Sequence, residues 1–149
     1  MHWLVALLAS FALSNSPDSE ALRVDADATG TIEIVARGMH NDVGRMMALL
    51  YDSSEGFPRD LDACLDYRTA EISKGRAKTS FSGLEPGTYA VLVIHDEDRD
   101  GYLETNVLGM PKEGVGVSNN GSGMPRFKNA KFEVGADATV SKTIDVNYL

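Results

Sequence analysis

Leu84-Glu85-Pro86-Gly87-Thr88-Tyr89-Ala90-Val91-Leu92-Val93-Ile94 decides the fold. Its first half is turn chemistry: Pro86 presets φ and Gly87 relaxes the backbone. Its second half is the most β-prone run in the chain, rich in β-branched residues and long enough for a central strand. A tyrosine entering a strand just after such a turn resembles the tyrosine corner of Greek-key sandwiches. Tyr89 is therefore read as structural.

Outward from this run, the flanks repeat the β pattern. Thr31 to Arg37 alternates with period two, as a half-buried strand does. Gly44 to Tyr51 is almost continuously apolar, which points to a strand buried on both faces, and the turn at Gly38–Asp42 suggests that the two pair as a hairpin. Ala77 to Ser82 reads as a strand, and Ala130 to Val134 and Thr139 to Leu149 alternate again. From Asp52 to Lys74 the period is lost, with a short helical turn expected around Leu61, Cys64 and Leu65. Lys74, Arg76 and Lys78 read as a solvated strand face rather than a binding patch. The expectation is one all-β domain, a Greek-key β-sandwich of about seven strands (transthyretin/immunoglobulin-like) over residues 30–149, with one long irregular loop.

That loop begins where the central strand ends, at His95-Asp96-Glu97-Asp98-Arg99-Asp100-Gly101-Tyr102-Leu103-Glu104-Thr105-Asn106. Asp96, Asp98 and Asp100 alternate, Gly101 allows a sharp turn, Tyr102 can offer a carbonyl, and Glu104 can bind directly or through water. This is the ligand order of an EF-hand loop, and the predicted metal ligands are Asp96, Asp98, Asp100, Tyr102 and Glu104. Carboxylates converging on one point repel by about 3 kcal/mol per pair at 5 Å and an effective dielectric of 20. A cation reverses that cost. Oxygen donors without a neighbouring cysteine or paired histidines select calcium over zinc or copper.

The match to an EF-hand has a gap. The twelfth loop position, which should supply a bidentate Glu, is Val107. Glu104, Asn106 or a residue from another loop would have to substitute, so binding is expected to be weak, on the order of 0.1 to 1 mM. Between Asp96 and about Lys128 no helix or strand is evident, and so long an excursion needs an organiser. A structural Ca2+ would be one; a merely solvated acidic turn is the alternative.

Other residues carry less. His95 is either a metal ligand or base, or a strand-end histidine held by hydrogen bonds, the second being the simpler reading. The glycine run Gly114 to Gly123 lacks the strand and amphipathic helix of a nucleotide loop. It is read as backbone turns against the acidic loop, with Asn119 and Asn120 bonding neighbouring peptides. His95, Asn106, Asn119 and Asn120 form a possible ligand surface. Cys64 is the sole cysteine, so no disulfide forms within the chain, and a lone cysteine is usually a small buried hydrophobe.

Composition restricts the partners. With 149 residues and 43% hydrophobic content the chain can bury a real core. Its net charge of -8 repels nucleic acid and anionic membrane, and cations are its natural small partners. Trp3 to Leu13 is apolar but too short to span a bilayer, and Ser14 to Asp18 is polar. Residues 1–14 therefore read as a signal peptide and 15–29 as a polar leader, which places the mature chain in the periplasm or outside the cell, without a membrane span.

Four blocks together resemble the bacterial family called domain of unknown function 2141. They are Tyr51 to Pro58, Phe81 to Ala90, His95 to Asn106, and Leu108 to Gly114 with Ser118-Asn119-Asn120. The resemblance implies an exported β-sandwich without established activity and with no catalytic residues to transfer. Members often carry Asn where this chain has Asp98 and Asp100, so the extra charge here favours a cation. The expectation is a non-enzymatic binding or accessory module that meets an unknown ligand or envelope protein. A calcium-dependent hydrolase or carbohydrate-active enzyme using His95 and the loop carboxylates is the alternative.

Overall fold

Residues 28–149 are described by a computed structural model; the expected signal peptide and nearly all of the polar leader lie outside them. Eight strands form two sheets: β1 (Gly30–Arg37), β2 (Arg45–Tyr51), β3 (Asp66–Ala70), β4 (Arg76–Leu84), β5 (Gly87–Asp96), β6 (Val115–Val117), β7 (Phe132–Val134) and β8 (Thr139–Asp145). One sheet has the order β4-β1-β8. The other has the order β3-β2-β5-β6, with β7 also on β5. The all-β sandwich expected from the sequence is the fold, and the run after Leu84 is its central strand.

β2 and β5 pair along their whole lengths, Arg45 opposite Asp96 through Tyr51 opposite Ala90. Because successive side chains point to opposite faces, each strand feeds two cores. Met46, Ala48, Leu50, Tyr89, Val91 and Val93 face the other sheet and meet Ile32, Ile34, Phe81 and Ile144. Met47, Leu49, Tyr51, Ala90, Leu92 and Ile94 face outward and are covered by the connections, through Phe57, Leu61, Cys64, Leu103 and Phe127. This outer layer explains the continuous apolar run of β2.

The expected hairpin of β1 and β2 does not form. β1 pairs with β4 antiparallel and with β8 parallel, whereas β2 lies in the opposite sheet. A strand that alternates suits the half-exposed sheet and one that is apolar throughout suits the doubly covered sheet, so burial separates neighbours in sequence. Two strands were also hidden. β3 lies where the period is lost, because as an edge strand it buries little. β6 lies inside the glycine run, where Gly116 has no room for a side chain: a Cβ there would stand 2.4 Å from the Asp145 carbonyl oxygen. Val115–Val117 is a strand where turns were expected, while Ser118–Asn120 and the residues after it are turns as read.

The turn into β5 behaves as read. The Tyr89 hydroxyl donates to the Glu85 carbonyl, tying the corner where the chain crosses between sheets. Cys64 is half-buried in the outer core, and burial, with Asp66 and Asp62 nearby, raises its thiol above the ordinary value. That is the environment of a packing residue.

Candidate metal centre

β5 ends in two consecutive polar residues that are both fully buried, His95 and Asp96. Strand alternation sends them to opposite faces. Asp96 enters the outer layer and starts the acidic loop.

The loop is wound around Asp96. Its Oδ2 accepts from Arg45 Nε at 2.9 Å and from the Gly101 amide at 3.2 Å, and its Oδ1 accepts from the Asp100 amide at 3.2 Å. Asp98 Oδ1 accepts from the same Asp100 amide, and Asp100 Oδ1 accepts from the Tyr102 amide at 2.8 Å. Arg99 and Gly101 take positive φ, 59° and 76°, which lets the chain curl back on itself. Arg99 then reaches away, to the Gly44 carbonyl and the Glu71 carboxylate. The alternation seen in the sequence thus places Asp96, Asp98 and Asp100 on the inside of one turn.

The fourth carboxylate comes from elsewhere. One ligand oxygen from each of Asp96, Asp98, Asp100 and Glu113 lies within 4.8 Å of the others. The Glu104 side chain is outside this group, and the Glu104 carbonyl instead accepts from the Lys112 amide in a short hairpin. Tyr102 follows the turn and is 71% exposed. Sheet register delivers Glu113. In the β5–β6 pair Leu92 is opposite Val117 and Ile94 opposite Val115, and the His95 amide donates to the Gly114 carbonyl. The chain entering β6 therefore runs beside the end of β5, and a Glu113 carboxylate oxygen lies within 4.8 Å of one of Asp96. Two acids so close repel.

Glu113 is in a costly position. It is only 8% exposed, and its Oε2 has neither solvent contact nor a hydrogen-bond partner among the described residues. Burial, reinforced by Asp96, Asp98 and Asp100, pushes its carboxyl up to about 7. Asp98 is also raised, by desolvation and its acidic neighbours. Asp96 moves the other way: burial opposes its charge, but Arg45 and the Gly101 amide hold it below the ordinary range. A cation among the four oxygens would reverse the repulsion and give Oε2 a partner. Calcium contacts of 2.3–2.6 Å define a shell about 5 Å across, which matches this spacing.

The remaining predicted residues are structural in geometry. His95 Nε2 donates to the Val43 carbonyl at 2.7 Å, so in the neutral ring Nδ1 accepts from the Tyr148 hydroxyl, at 2.6 Å. Both nitrogens are engaged, as the hydrogen-bonded reading of His95 requires. His40 stacks on Tyr148 at 4.0 Å and bonds Glu97 Oε1 at 2.6 Å. Asn106 Oδ1 caps the amides of Leu108 and Met110 at the hairpin tip. Asn119 donates to the carbonyls of Asn129 and Lys131, and Asn120 bonds both the Thr143 carbonyl and the Asp145 amide of β8. These two asparagines bond neighbouring peptides, as read. They pin the end of the long excursion, which also contains β6 and the short helix α1 (Phe127–Ala130).

Sequence reading missed Glu113, because no spacing rule links it to Asp96, 17 positions earlier in the chain. Recognising Val115–Val117 as a strand paired to β5 would have found it.

Fold and site together define an all-β sandwich carrying a multi-carboxylate loop at one end. The sequence profile of the family "Uncharacterized protein conserved in bacteria (DUF2141)" matches residues 34–142, and the chain belongs to that family. No curated protein matches. Among solved structures, the pilus-presented adhesin Spy0125 (Cpa) aligns at 14% identity and a TM-score of 0.24, covering 84% of this chain and 27% of the adhesin chain. A cysteine-to-alanine variant of that adhesin aligns at 15% identity and 0.22, covering 82% and 27%. The chain thus spans about a quarter of the adhesin's length, and the likeness is too slight to carry the fold or a role.

Proposed function

We propose that this is an exported, non-enzymatic sandwich protein of the bacterial envelope whose loop from Asp96 to Glu113 binds Ca2+, and that the ion orders the surface that meets a ligand or envelope partner. The carrying observation is Glu113 Oε2, a buried carboxylate oxygen without a partner beside three other carboxylates. A buried charge is tolerated where it is paired or coordinates a metal. The apolar run from Trp3 to Leu13 supports export. His95 is fully buried, with Nε2 on the Val43 carbonyl and Nδ1 on the Tyr148 hydroxyl, which supports a role other than catalysis because neither nitrogen is within reach of a substrate. No helix among the described residues is long and apolar enough to cross a membrane.

Affinity is expected in the weak, extracellular range, on the order of 0.1 to 1 mM, because Asp98 and Asp100 are solvent-exposed. Terbium tests this directly. Tyr102 lies in the loop, so bound terbium should luminesce on tyrosine excitation and calcium should compete the signal away. An undiminished signal in the double variant Asp98→Ala, Asp100→Ala would remove the site.

A further inference from the structure

A second polar feature lies at the same end of the sandwich, on the other sheet, and has the opposite charge. An open groove of about 470 Å³ is bounded by Arg37, Lys74, Arg76, Asp145 and Asn147. On a chain of net charge -8, three cations around one hollow are not a general property of the surface.

The register makes the arrangement more pointed. Arg37, the last residue of β1, is directly opposite Arg76, the first of β4. Like charges so placed are destabilising. Asp145, opposite Arg37 on the other flank of β1, pairs with Arg37 and neutralises it alone. Arg76 and Lys74 have no ion-pair partner among the described residues. The other nearby acid, Asp42, is committed: its two oxygens accept from the amides of Lys74 and Gly75 at 2.9 and 2.8 Å. Those bonds hold the β3–β4 turn with Lys74 in the left-handed region, at φ 54°, so the turn is built rather than loose.

We infer that this open groove binds a small ligand through a single oxyanion group, carboxylate or phosphate, held by Arg76 and Lys74, the two cations there without an ion-pair partner. The guanidinium fork matches both oxyanions in geometry. Such a group supplies Arg76 and Lys74 with the counter-charge that Asp145 supplies to Arg37. The reading of Lys74, Arg76 and Lys78 as one solvated face is thereby divided. Lys78, opposite Val35, stays a surface charge, and the other two belong to the groove.

The experiment is a two-dimensional amide NMR titration of the full chain, calcium-free and at constant ionic strength, with inorganic phosphate, glucose 6-phosphate and glucuronate. Saturable shifts are expected at the Gly38, Gly75, Arg76 and Asn147 amides. Saturation by the two phosphates or by glucuronate identifies the oxyanion, and tighter binding of glucose 6-phosphate than of phosphate shows that the groove also holds the sugar. Arg76→Gln should weaken binding about tenfold, whereas Lys78→Gln, with the same loss of charge, should change it less than about twofold. Equal weakening by both variants, or no saturation with any probe, would overturn the assignment. Because calcium is absent throughout, the result does not depend on the acidic loop.

Discussion

His95 and Asp96 are neighbours in the chain, both fully buried, yet they belong to polar clusters of opposite character. The His95 side is closed: ring nitrogens, the Tyr148 hydroxyl, His40 and Glu97 satisfy one another. The Asp96 side is open: four carboxylates converge and one buried oxygen has no partner. A satisfied buried network specifies and stiffens a fold, while an unsatisfied one stores a cost that a ligand can relieve. Residue type and spacing already favoured the acidic cluster over the histidine, and the satisfaction of hydrogen bonds ranks them the same way.

The contrast is most exposed to failure at Asp96. Asp96→Ala should remove calcium binding and destabilise the fold by about 3 kcal/mol, since it strands Arg45 beside a buried site. Terbium luminescence and denaturant unfolding check both parts. If the variant binds normally, the open cluster is not the site.

Glu113→Gln should act in two directions. Calcium affinity is expected to fall at least about tenfold, because a charged ligand becomes a neutral amide. The calcium-free protein should become more stable at pH 8, because the buried unpaired charge is gone. Thermal melts with chelator and with excess calcium should therefore cross. The pH dependence follows from the raised carboxyl. With a folded value of about 7 against an ordinary 4.5, the stability linked to protonated Glu113 is complete below about 4.5 and lost as pH rises through 7. The advantage of Glu113→Gln over wild type, both calcium-free, should grow between pH 5 and pH 8 on the order of these values. A constant difference across that window would show that Glu113 does not titrate there.

On the closed side the expected effect is smaller and purely structural. Tyr148→Phe removes the hydroxyl that bridges His95 and the His40 amide, and should cost about 1 kcal/mol while leaving terbium affinity unchanged. A loss of affinity would show that the two clusters are coupled through Glu97. The smallest effect is expected at Glu104→Ala, which should alter calcium affinity less than about twofold, its side chain lying outside the four-carboxylate group. A large loss would restore the EF-hand ligand order read from the sequence.

How much could be read beforehand depended on the range of the interaction. The central strand, the tyrosine corner and the alternating aspartates are local patterns, set by strand alternation and by a turn of a few residues, and each stood where it was placed. The pairing partner of β1 was misread because burial against the opposite sheet overrode proximity in sequence. β3 and β6 were hidden because an edge strand buries little and Gly116 is dictated by a close approach of Asp145, not by strand propensity.

The sequence by itself determined an all-β chain, its central strand and three carboxylates on one turn, because side-chain alternation and steric limits on φ act within a few residues. Only the tertiary structure decided that the chain before β6 would bring Glu113 to Asp96, that His95 would be satisfied on one face while Asp96 remained open on the other, and that Arg37 and Arg76 would stand side by side on paired strands. Those three outcomes depend on sheet register, which is fixed by burying both cores at once and is invisible to any window along the chain.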